Sequence, residues 1–369
     1  MQRSHARRGI GRLEIIVAIV VLVIVGSVAI ALIMKQKGDA GADPAAGPLS
    51  YEDQAKTVME ARNNLKMLGL SLQNHNDTFK TFPALYFSSD TKLKGKLNVT
   101  KAKGSYPWTV RVLPFIEEDT MYKGISAASK KFSEPADKIK IQHDGKTVSP
   151  AEIDLPQLQS THLGKRSARG NNNYVALAAT RLPMLLEVTE SGGVYSMKFP
   201  PDGMIIPDKL ARGQSMARMA DGTSKTAVIA ESREVEKSNW YEPTQSFVVG
   251  ILPADSTITG DKLYPYYDKE TWVPNPATGN RTSLNYGPTA ADAKLAYYPK
   301  SGGLLERTWG PSGGHTLANF TIHAMGDGSV LMLSNDVDAK VYFALITARG
   351  AENEDRPADA KIPAPPPKE

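Results

Sequence analysis

The chain has 369 residues, a formal net charge of +5 and no cysteine. A sequence without cysteine excludes disulfides, Cys-ligated zinc, thiol nucleophiles and a lipid anchor on cysteine within these residues. Residues 1–37 contain the whole positive excess, since they hold six of the 44 Lys and Arg and one of the 39 Asp and Glu. Residues 38–369 are neutral overall, and the basic pI therefore does not indicate nucleic-acid binding.

The uncharged segment 15–34 predicts a membrane anchor. It contains no proline, and as a helix it spans about 30 Å, the thickness of the hydrocarbon layer of a bilayer. Four arginines precede it against one glutamate, so the positive-inside rule places the N-terminus in the cytoplasm. We expect a single-pass cell membrane protein with an anchor helix over 10–34 and a periplasmic or otherwise extracytoplasmic remainder. A cleaved secretory signal is the alternative, although its apolar region usually has about 7 to 15 residues.

Residues 35–50 predict a flexible spacer, because the segment is rich in small residues, Pro and Gly and has no apolar periodicity. Residues 51–79 then predict an amphipathic helix of about six or seven turns. Its apolar residues recur at helical spacings between charged ones: Val58, Leu65, Leu68, Leu72 and Phe79. We expect this stripe to pack on a sheet of the same domain, and an inter-subunit coiled coil is the alternative.

After Pro83, short runs rich in β-branched and aromatic residues predict strands of an antiparallel sheet. These runs are 108–113, 173–178, 193–199, 226–230, 246–251 and 320–324. The clearest hairpin joins 319–325 to 329–333 through Gly326-Asp327-Gly328, where glycine adopts positive φ without steric cost.

The last predicted helix begins at about Asp336, a good N-cap, and ends at Arg349 with Gly350 as its C-cap. The Pro-rich tail 351–369 predicts a disordered or extended segment. The fold class that follows is α+β: an N-terminal transmembrane helix, a flexible spacer and an ectodomain over 51–350, in which an amphipathic helix packs on an antiparallel β-sheet.

Arg8-Gly9-Ile10, with Glu14 five residues after Gly9, resembles the class III signal of type IV prepilins. The downstream motifs are similar to those of the planctomycete family of prepilin-like envelope proteins, a domain of unknown function also catalogued as solute-binding-protein family ten. They cover most of residues 7–350 in the order of that family, at 63–66, 68–70, 75–78, 82–83, 108–117, 221–226, 231 and 327–330.

The resemblance implies that a prepilin peptidase removes the leader 1–9 and leaves Ile10 as the first mature residue. The Glu14 carboxylate would then pair with the new amine, within one chain or between neighbouring pilin-like subunits. The alternative is that Glu14 snorkels to the lipid headgroups. Arg12 departs from the prepilin pattern, and the spacer separates two helices that form one rod in pilins. Both departures favour a tethered monomer or pseudopilin over a major fibre subunit.

Few residues offer enzymatic or metal chemistry. The pairs Asp221-Gly222 and Asp327-Gly328 suit tight turns, and neither fits the twelve-residue calcium loop. His315, His323 and Asp327 are not spaced as three ligands on one element. The segment 213–217 lacks the closing glycine of a nucleophile elbow. We therefore expect no catalytic residue, no cofactor and no metal.

A structural or interaction role at the cell envelope, pilin-like and non-enzymatic, is the function that these features favour. The alternative is an extracytoplasmic ligand-binding module on a membrane tether, with tryptophan rings stacking on a carbohydrate. The competing interpretation is that those tryptophans are buried in the core. The candidate tryptophans are Trp108, Trp240, Trp272 and Trp309. Exposure of these side chains on one shared face would favour carbohydrate binding, and burial in the core would favour the competing interpretation.

Overall fold

The computed structural model describes residues 50–90, 92, 97–160, 170–186, 188–191, 194–197, 200–208, 210–252, 282–287, 307–313, 319–348 and 359–365. All of them belong to one compact unit, Pro48–Glu369. The predicted leader, the anchor helix and the spacer up to residue 49 lie outside the described residues, and so do Gly9, Ile10 and Glu14. In the part of the chain that the structure describes, every helix is too short or too polar to cross a bilayer.

The described residues form helices α1 (Tyr51–Phe79), α2 (Trp108–Val112), α3 (Asp119–Ala128), α4 (Pro183–Leu186) and α5 (Ala339–Ile346). The strands are β1 (Tyr86–Phe87), β2 (Tyr106–Pro107), β3 (Ile141–His143), β4 (Lys146–Val148), β5 (Tyr174–Ala179), β6 (Val188–Ser191), β7 (Val194–Met197), β8 (Ala227–Glu231), β9 (Phe247–Val249), β10 (Phe320–Met325) and β11 (Val330–Ser334).

Helix α1 confirms the predicted amphipathic helix. The Ser50 side chain accepts from the Asp53 N–H at its start, and Lys80 ends it in the left-handed conformation. The predicted stripe is buried except for Phe79, which is 56% exposed. Phe79 lies in the last turn and packs against the rings of His75 and Phe115 rather than entering the core.

Five strands form the main sheet of the described residues in the order β11-β10-β8-β5-β9. The pairs between β11, β10, β8 and β5 are antiparallel, as predicted. Strand β9 instead runs parallel to β5, with Ala176 opposite Phe247. The sheet is therefore mixed, because β9 enters beside β5 in the same direction rather than returning through a hairpin.

The predicted hairpin is present as β10 and β11, with Ile322 opposite Met332. Gly328 has φ +79, whereas Gly326 is not in the left-handed region. Helix α1 passes close to this turn, since a Cβ on Gly69 would lie 3.0 Å from the Gly328 Cα. Helix α1 packs on β10, β11 and β8, so its apolar stripe covers the sheet of its own domain.

The prediction of a strand over 108–113 is wrong. The segment forms α2 followed by a 3-10 turn, Leu113–Phe115, and the side chains from Trp108 to Val110 are all buried. A short, continuously apolar run is compatible with a buried helix or a buried strand, and periodicity does not distinguish them. The runs at 173–178, 193–199, 226–230, 246–251 and 320–324 do contain strands.

The last helix is shorter than predicted. Asp338, not Asp336, caps α5 by accepting from the N–H groups of Lys340 and Val341. Asp336 instead accepts from the Asn319 side chain at the end of the hairpin. Thr347 is extended and ends the helix, while Arg349 and Gly350 lie outside the described residues.

Part of the Pro-rich tail contacts the main sheet. Asp359 and Ala360 hydrogen-bond to Met332 on β11. Ala360 and Ile362 also pack against the hydrophobic core. The composition of the tail did not predict this contact, because one isoleucine among prolines is enough to dock a short segment.

Candidate functional site

One end of the main sheet concentrates buried polar side chains. The start of β5, the end of β8 and the start of β9 meet there, because β5 is antiparallel to β8 and parallel to β9. We call this cluster the polar sheet end. Its buried members are Asn171, Asn172, Asn173, Glu231, Ser232, Glu234, Gln245, Arg307 and Ser312.

Three consecutive asparagines precede β5 and hold neighbouring loops. The Asn171 Oδ1 accepts from the Ser238 hydroxyl at 3.1 Å. The Asn173 side chain accepts from the Ser160 N–H and donates to the Ser232 carbonyl, each at 2.8 Å. The Asn172 Oδ1 accepts from the Tyr174 N–H at 2.8 Å, which fixes the orientation of its amide. The amides of Asn172 and Asn173 thus bond to backbone groups at the point where the strand begins, whereas Asn171 bonds to a side chain.

Glu234 is a heavily hydrogen-bonded carboxylate of the polar sheet end. Its Oε2 accepts from the Thr308 N–H at 2.5 Å, the Thr308 hydroxyl at 2.8 Å and the Trp309 N–H at 3.1 Å. Its Oε1 accepts from the N–H groups of Glu236 and Lys237. Burial by itself would raise the pKa of Glu234, but the Arg307 charge and these donors outweigh burial and lower the pKa. Glu234 is therefore a charged structural anchor at neutral pH.

The Arg307 guanidinium provides the opposite charge. It donates to the Gln245 carbonyl at 2.6 Å, the Ser232 hydroxyl at 2.8 Å and the Lys237 carbonyl at 3.3 Å. Arg307 thereby connects its own segment to the loop after β8 and to the start of β9. Buried charges of this kind are tolerated only where hydrogen bonds and an opposite charge compensate for lost hydration.

Glu231 and His323 extend the buried polar groups along β8 and β10. The Glu231 Oε1 accepts from the Ser160 hydroxyl at 2.9 Å. The His323 ring contacts the Thr321 carbonyl and the Tyr342 hydroxyl of α5, each at 3.1 Å. Burial lowers the pKa of His323 to about 4. The imidazole is therefore neutral near pH 7 and serves to position α5 on β10.

The structure assigns two of the candidate tryptophans to the core. Trp108 and Trp240 are fully buried, and their indole N–H groups donate to the carbonyls of Ser246 and Ile153. Neither ring has a face available to stack on a carbohydrate. Trp309 is 9% exposed and lies under the Arg233 guanidinium. Trp272 lies outside the described residues.

Asp327 and Asp338 serve as turn and cap residues. Asp327 accepts from the Ser329 N–H in the hairpin turn, and Asp338 caps α5. Gly222 has φ +104, as the Asp221-Gly222 turn predicts. The described residues contain no group of three or more His, Asp or Glu that could hold a metal ion. His315 lies outside them.

Sequence reasoning missed the polar sheet end as a cluster. Its local signals are the asparagine run 171–173 directly before an apolar strand and the charged run 231–234 directly after another. Asparagine and glutamate are depleted in strands, so such runs mark strand ends. Arg307 carries no local signal, because it lies more than 70 positions from Glu234 in the sequence.

Comparison with known families assigns the chain to a family. The family model SBP_bac_10, described as a protein of unknown function (DUF1559), matches residues 58–340. The chain belongs to this family. No curated protein and no solved structure matches it. The match extends from within α1 to the start of α5 and includes the polar sheet end, and it confirms the family resemblance of the downstream motifs.

Proposed function

We propose that this protein is a non-enzymatic, membrane-anchored structural or interaction protein of the cell envelope, of pilin-like or pseudopilin-like type. The observation that carries the proposal is the 29-residue helix α1 packed on β10, β11 and β8. In the sequence, α1 follows an uncharged segment long enough to span a bilayer. A helix packed on a largely antiparallel sheet behind a membrane segment is the arrangement that the prepilin resemblance implies.

The chemistry of the polar sheet end supports a non-enzymatic role. Both oxygens of Glu234 are held by backbone or hydroxyl donors, and His323 is fully buried. A catalytic acid or base must reach the proton that it transfers. These groups instead connect strands and loops, as structural groups do.

The proposed anchor is the helix over 10–34, with a cytoplasmic N-terminus and a periplasmic or otherwise extracytoplasmic ectodomain. The proposed partners are the membrane, a prepilin peptidase that cuts after Gly9, and other pilin-like subunits. Glu14 is the proposed partner of the amine on Ile10. No nucleic-acid partner is proposed, because residues 38–369 carry equal numbers of both charges.

The start of α1 favours a tethered monomer or pseudopilin over a fibre subunit. Ser50 has extended dihedral angles, φ −58 and ψ 159, and its side chain caps the first turn of α1. A capped N-terminus means that α1 begins at Tyr51 as a helix of its own. In a fibre subunit, a continuous helix would be required to fix the rotation of the ectodomain relative to the membrane helix.

N-terminal sequencing of the membrane-extracted protein tests the processing. We expect the mature chain to begin at Ile10, and Gly9→Val to leave the leader attached. Gly38→Val, the same substitution in the spacer, serves as the control and should leave processing unchanged. A wild-type chain that begins at Met1, or near Asp43, would contradict the proposed signal.

Single cysteines test the topology, because the chain has none of its own. Ala45→Cys should react with a membrane-impermeant maleimide added to cells whose outer membrane is permeabilised. Ala6→Cys, placed in the Gly9→Val chain so that the leader stays attached, should react only after lysis, since the basic flank keeps it in the cytoplasm. The reversed pattern would refute the proposed orientation.

A further inference from the structure

An aromatic cluster outside the main sheet joins three segments of the chain. The ring centroids of Phe87, Tyr106 and Phe132 lie 5.0 to 5.9 Å apart. Phe87 is in β1, Tyr106 is in β2, and Phe132 follows α3. The Ser89 N–H donates to the Phe132 carbonyl at 3.1 Å, and the Tyr106 hydroxyl donates to the Glu134 carbonyl. Ring packing and hydrogen bonds therefore hold the three segments together.

Exposed lysines flank the aromatic residue of each segment, within five positions of it in the sequence. We call them the lysine surface, and its members are Lys92, Lys101, Lys103, Lys130 and Lys131. Two acidic side chains lie among them: Asp90 accepts from the Lys92 N–H, and Glu134 forms an ion pair with Lys130. In the sequence, residues 88–106 contain five lysines and one acidic residue. The surface is therefore positively charged, although residues 38–369 are neutral overall.

The backbone of the lysine surface is strained after α3. Lys130, Lys131 and Phe132 have φ 51, 61 and 68, three consecutive residues in the left-handed region. Glycine adopts this conformation without steric cost, whereas other residues are disfavoured there. The Ser129 hydroxyl accepts from the Phe132 N–H at 2.8 Å and helps to hold the turn. Burial in the aromatic cluster accounts for Phe132, but the two lysines are exposed. Strain of this kind is typical of functional positions.

The composition of the lysine surface indicates the chemistry of its partner. Lysine carries a compact point charge, whereas arginine binds a single phosphate or carboxylate in a bidentate manner. Separate lysines on three segments thus match a surface that carries many single negative charges. The rings of Phe87, Tyr106 and Phe132 are buried, so they offer no face to a nucleotide base or a sugar. Lysine clusters attract anionic lipid headgroups in this way.

We propose that the lysine surface binds the phosphate headgroups of an anionic lipid bilayer. The lysine ammonium groups donate to phosphate oxygens, and the attraction is screened by salt. This contact is made by the ectodomain and is separate from the proposed anchor. The choice of a lipid surface rests on the proposed membrane location, and the inference goes beyond that proposal by naming the residues of a second membrane contact. All five lysines belong to the described residues.

Flotation with added vesicles tests the proposal without contribution from the anchor. The full chain is incorporated into phosphatidylcholine nanodiscs and mixed with vesicles of phosphatidylcholine, or of phosphatidylcholine and phosphatidylglycerol in equal parts. We expect the discs to float with the anionic vesicles alone, and the floating fraction to fall at high salt. Equal flotation with both kinds of vesicle would overturn the proposal. Incorporation into the neutral discs reports on the anchor separately, so the two proposals fail in distinguishable ways.

Charge-neutralising variants test whether the lysine surface is the contact. The affinity for anionic vesicles should fall at least about tenfold in the triple variant Lys92→Gln/Lys103→Gln/Lys131→Gln. The control removes the same charge from exposed lysines elsewhere and should retain most of the affinity: Lys56→Gln/Lys66→Gln/Lys237→Gln. An equal loss in the two triple variants would overturn the lysine surface and leave net charge as the cause.

Substitution of Lys131 alone separates its charge from its backbone strain. Lys131→Gly should weaken vesicle binding and raise the midpoint of thermal unfolding by about 2 to 4 °C, because glycine relieves the left-handed strain. Lys131→Gln should weaken binding equally without this gain in stability. Unchanged binding in both variants would overturn the assignment of Lys131. Binding of the full chain to alginate, a soluble polyanion, but not to anionic vesicles would overturn a lipid surface as the partner.

Discussion

Two borders of the main sheet, the polar sheet end and the outer edge of β11, differ in how many contacts cover them. At the polar sheet end, the Glu234 carboxylate alone accepts five hydrogen bonds, and the surrounding side chains are buried. At the β11 edge, two hydrogen bonds and a half-exposed ion pair hold the tail. One border is densely hydrogen-bonded and buried, and the other has few contacts.

The difference shows which polar groups belong to the fold and which are available to partners. A buried charge must be fully compensated, so Glu234 and Arg307 are permanent parts of the structure. The edge of β11 faces water, which satisfies its backbone groups when the tail leaves. The larger polar cluster is thus the structural one, and the smaller contact adds little to the stability of the fold.

The largest predicted effect comes from breaking the polar sheet end. Glu234→Gln removes the charge that compensates Arg307 and turns an amide N–H toward backbone donors. We expect the free energy of unfolding to fall by about 3 to 5 kcal/mol, measured by denaturant titration of the full chain in detergent. Glu236→Gln, the same change on an exposed side chain two residues away, should stay within about 0.5 kcal/mol. Equal effects would show that the cluster is not a coupled unit.

The second prediction concerns acid. His323 has an ordinary pKa of 6.5 and a folded-state pKa of about 4, so the unfolded chain binds the proton first as the pH falls. Stability is therefore present above pH 6.5 and is lost between about pH 6.5 and 4, by up to about 3 kcal/mol. His323→Gln should flatten this part of the stability profile. The same slope in wild type and His323→Gln would contradict a neutral buried imidazole.

The third prediction separates backbone strain from packing at the hairpin turn. Gly328 has φ +79 and lies against α1, where an added Cβ would meet the Leu70 Cδ2 at 3.3 Å. Gly328→Val should lower the free energy of unfolding by about 1 to 3 kcal/mol. Gly145 has φ +73 but no atom within 4 Å of such a Cβ, so Gly145→Val measures strain alone and should cost less. Unchanged stability of Gly328→Val would mean that the turn tolerates another conformation.

The smallest predicted effect is at the β11 edge. Asp359→Asn keeps an acceptor for the Met332 N–H and loses only the ion pair with Arg62. We expect a change in unfolding free energy of about 0 to 1 kcal/mol, smaller still at high salt. Thermal unfolding at two salt concentrations measures it. A loss above about 2 kcal/mol would make the tail part of the core and remove the contrast between the two borders.

Local signals predicted the elements that local interactions stabilise. The apolar spacing defined α1, and the Gly326-Asp327-Gly328 turn located the β10–β11 hairpin. The same reasoning failed at Trp108–Val112, where a short apolar run is compatible with both helix and strand and the surrounding core selects the helix. It also placed the N-cap of the last helix at Asp336 instead of Asp338. The processing signal at Gly9, Ile10 and Glu14 and the role of Trp272 stay predictions.

The sequence by itself determined the family, the amphipathic helix, the terminal hairpin and the division of charge between the first 37 residues and the rest. These features depend on residue spacing, turn chemistry and composition, which are read along the chain. Only the tertiary structure decided that Arg307 compensates Glu234, that Trp108 and Trp240 are buried, and that Asp359 pairs with β11. Those contacts join residues far apart in sequence, and the packing of the strands, not any local preference, brings them together.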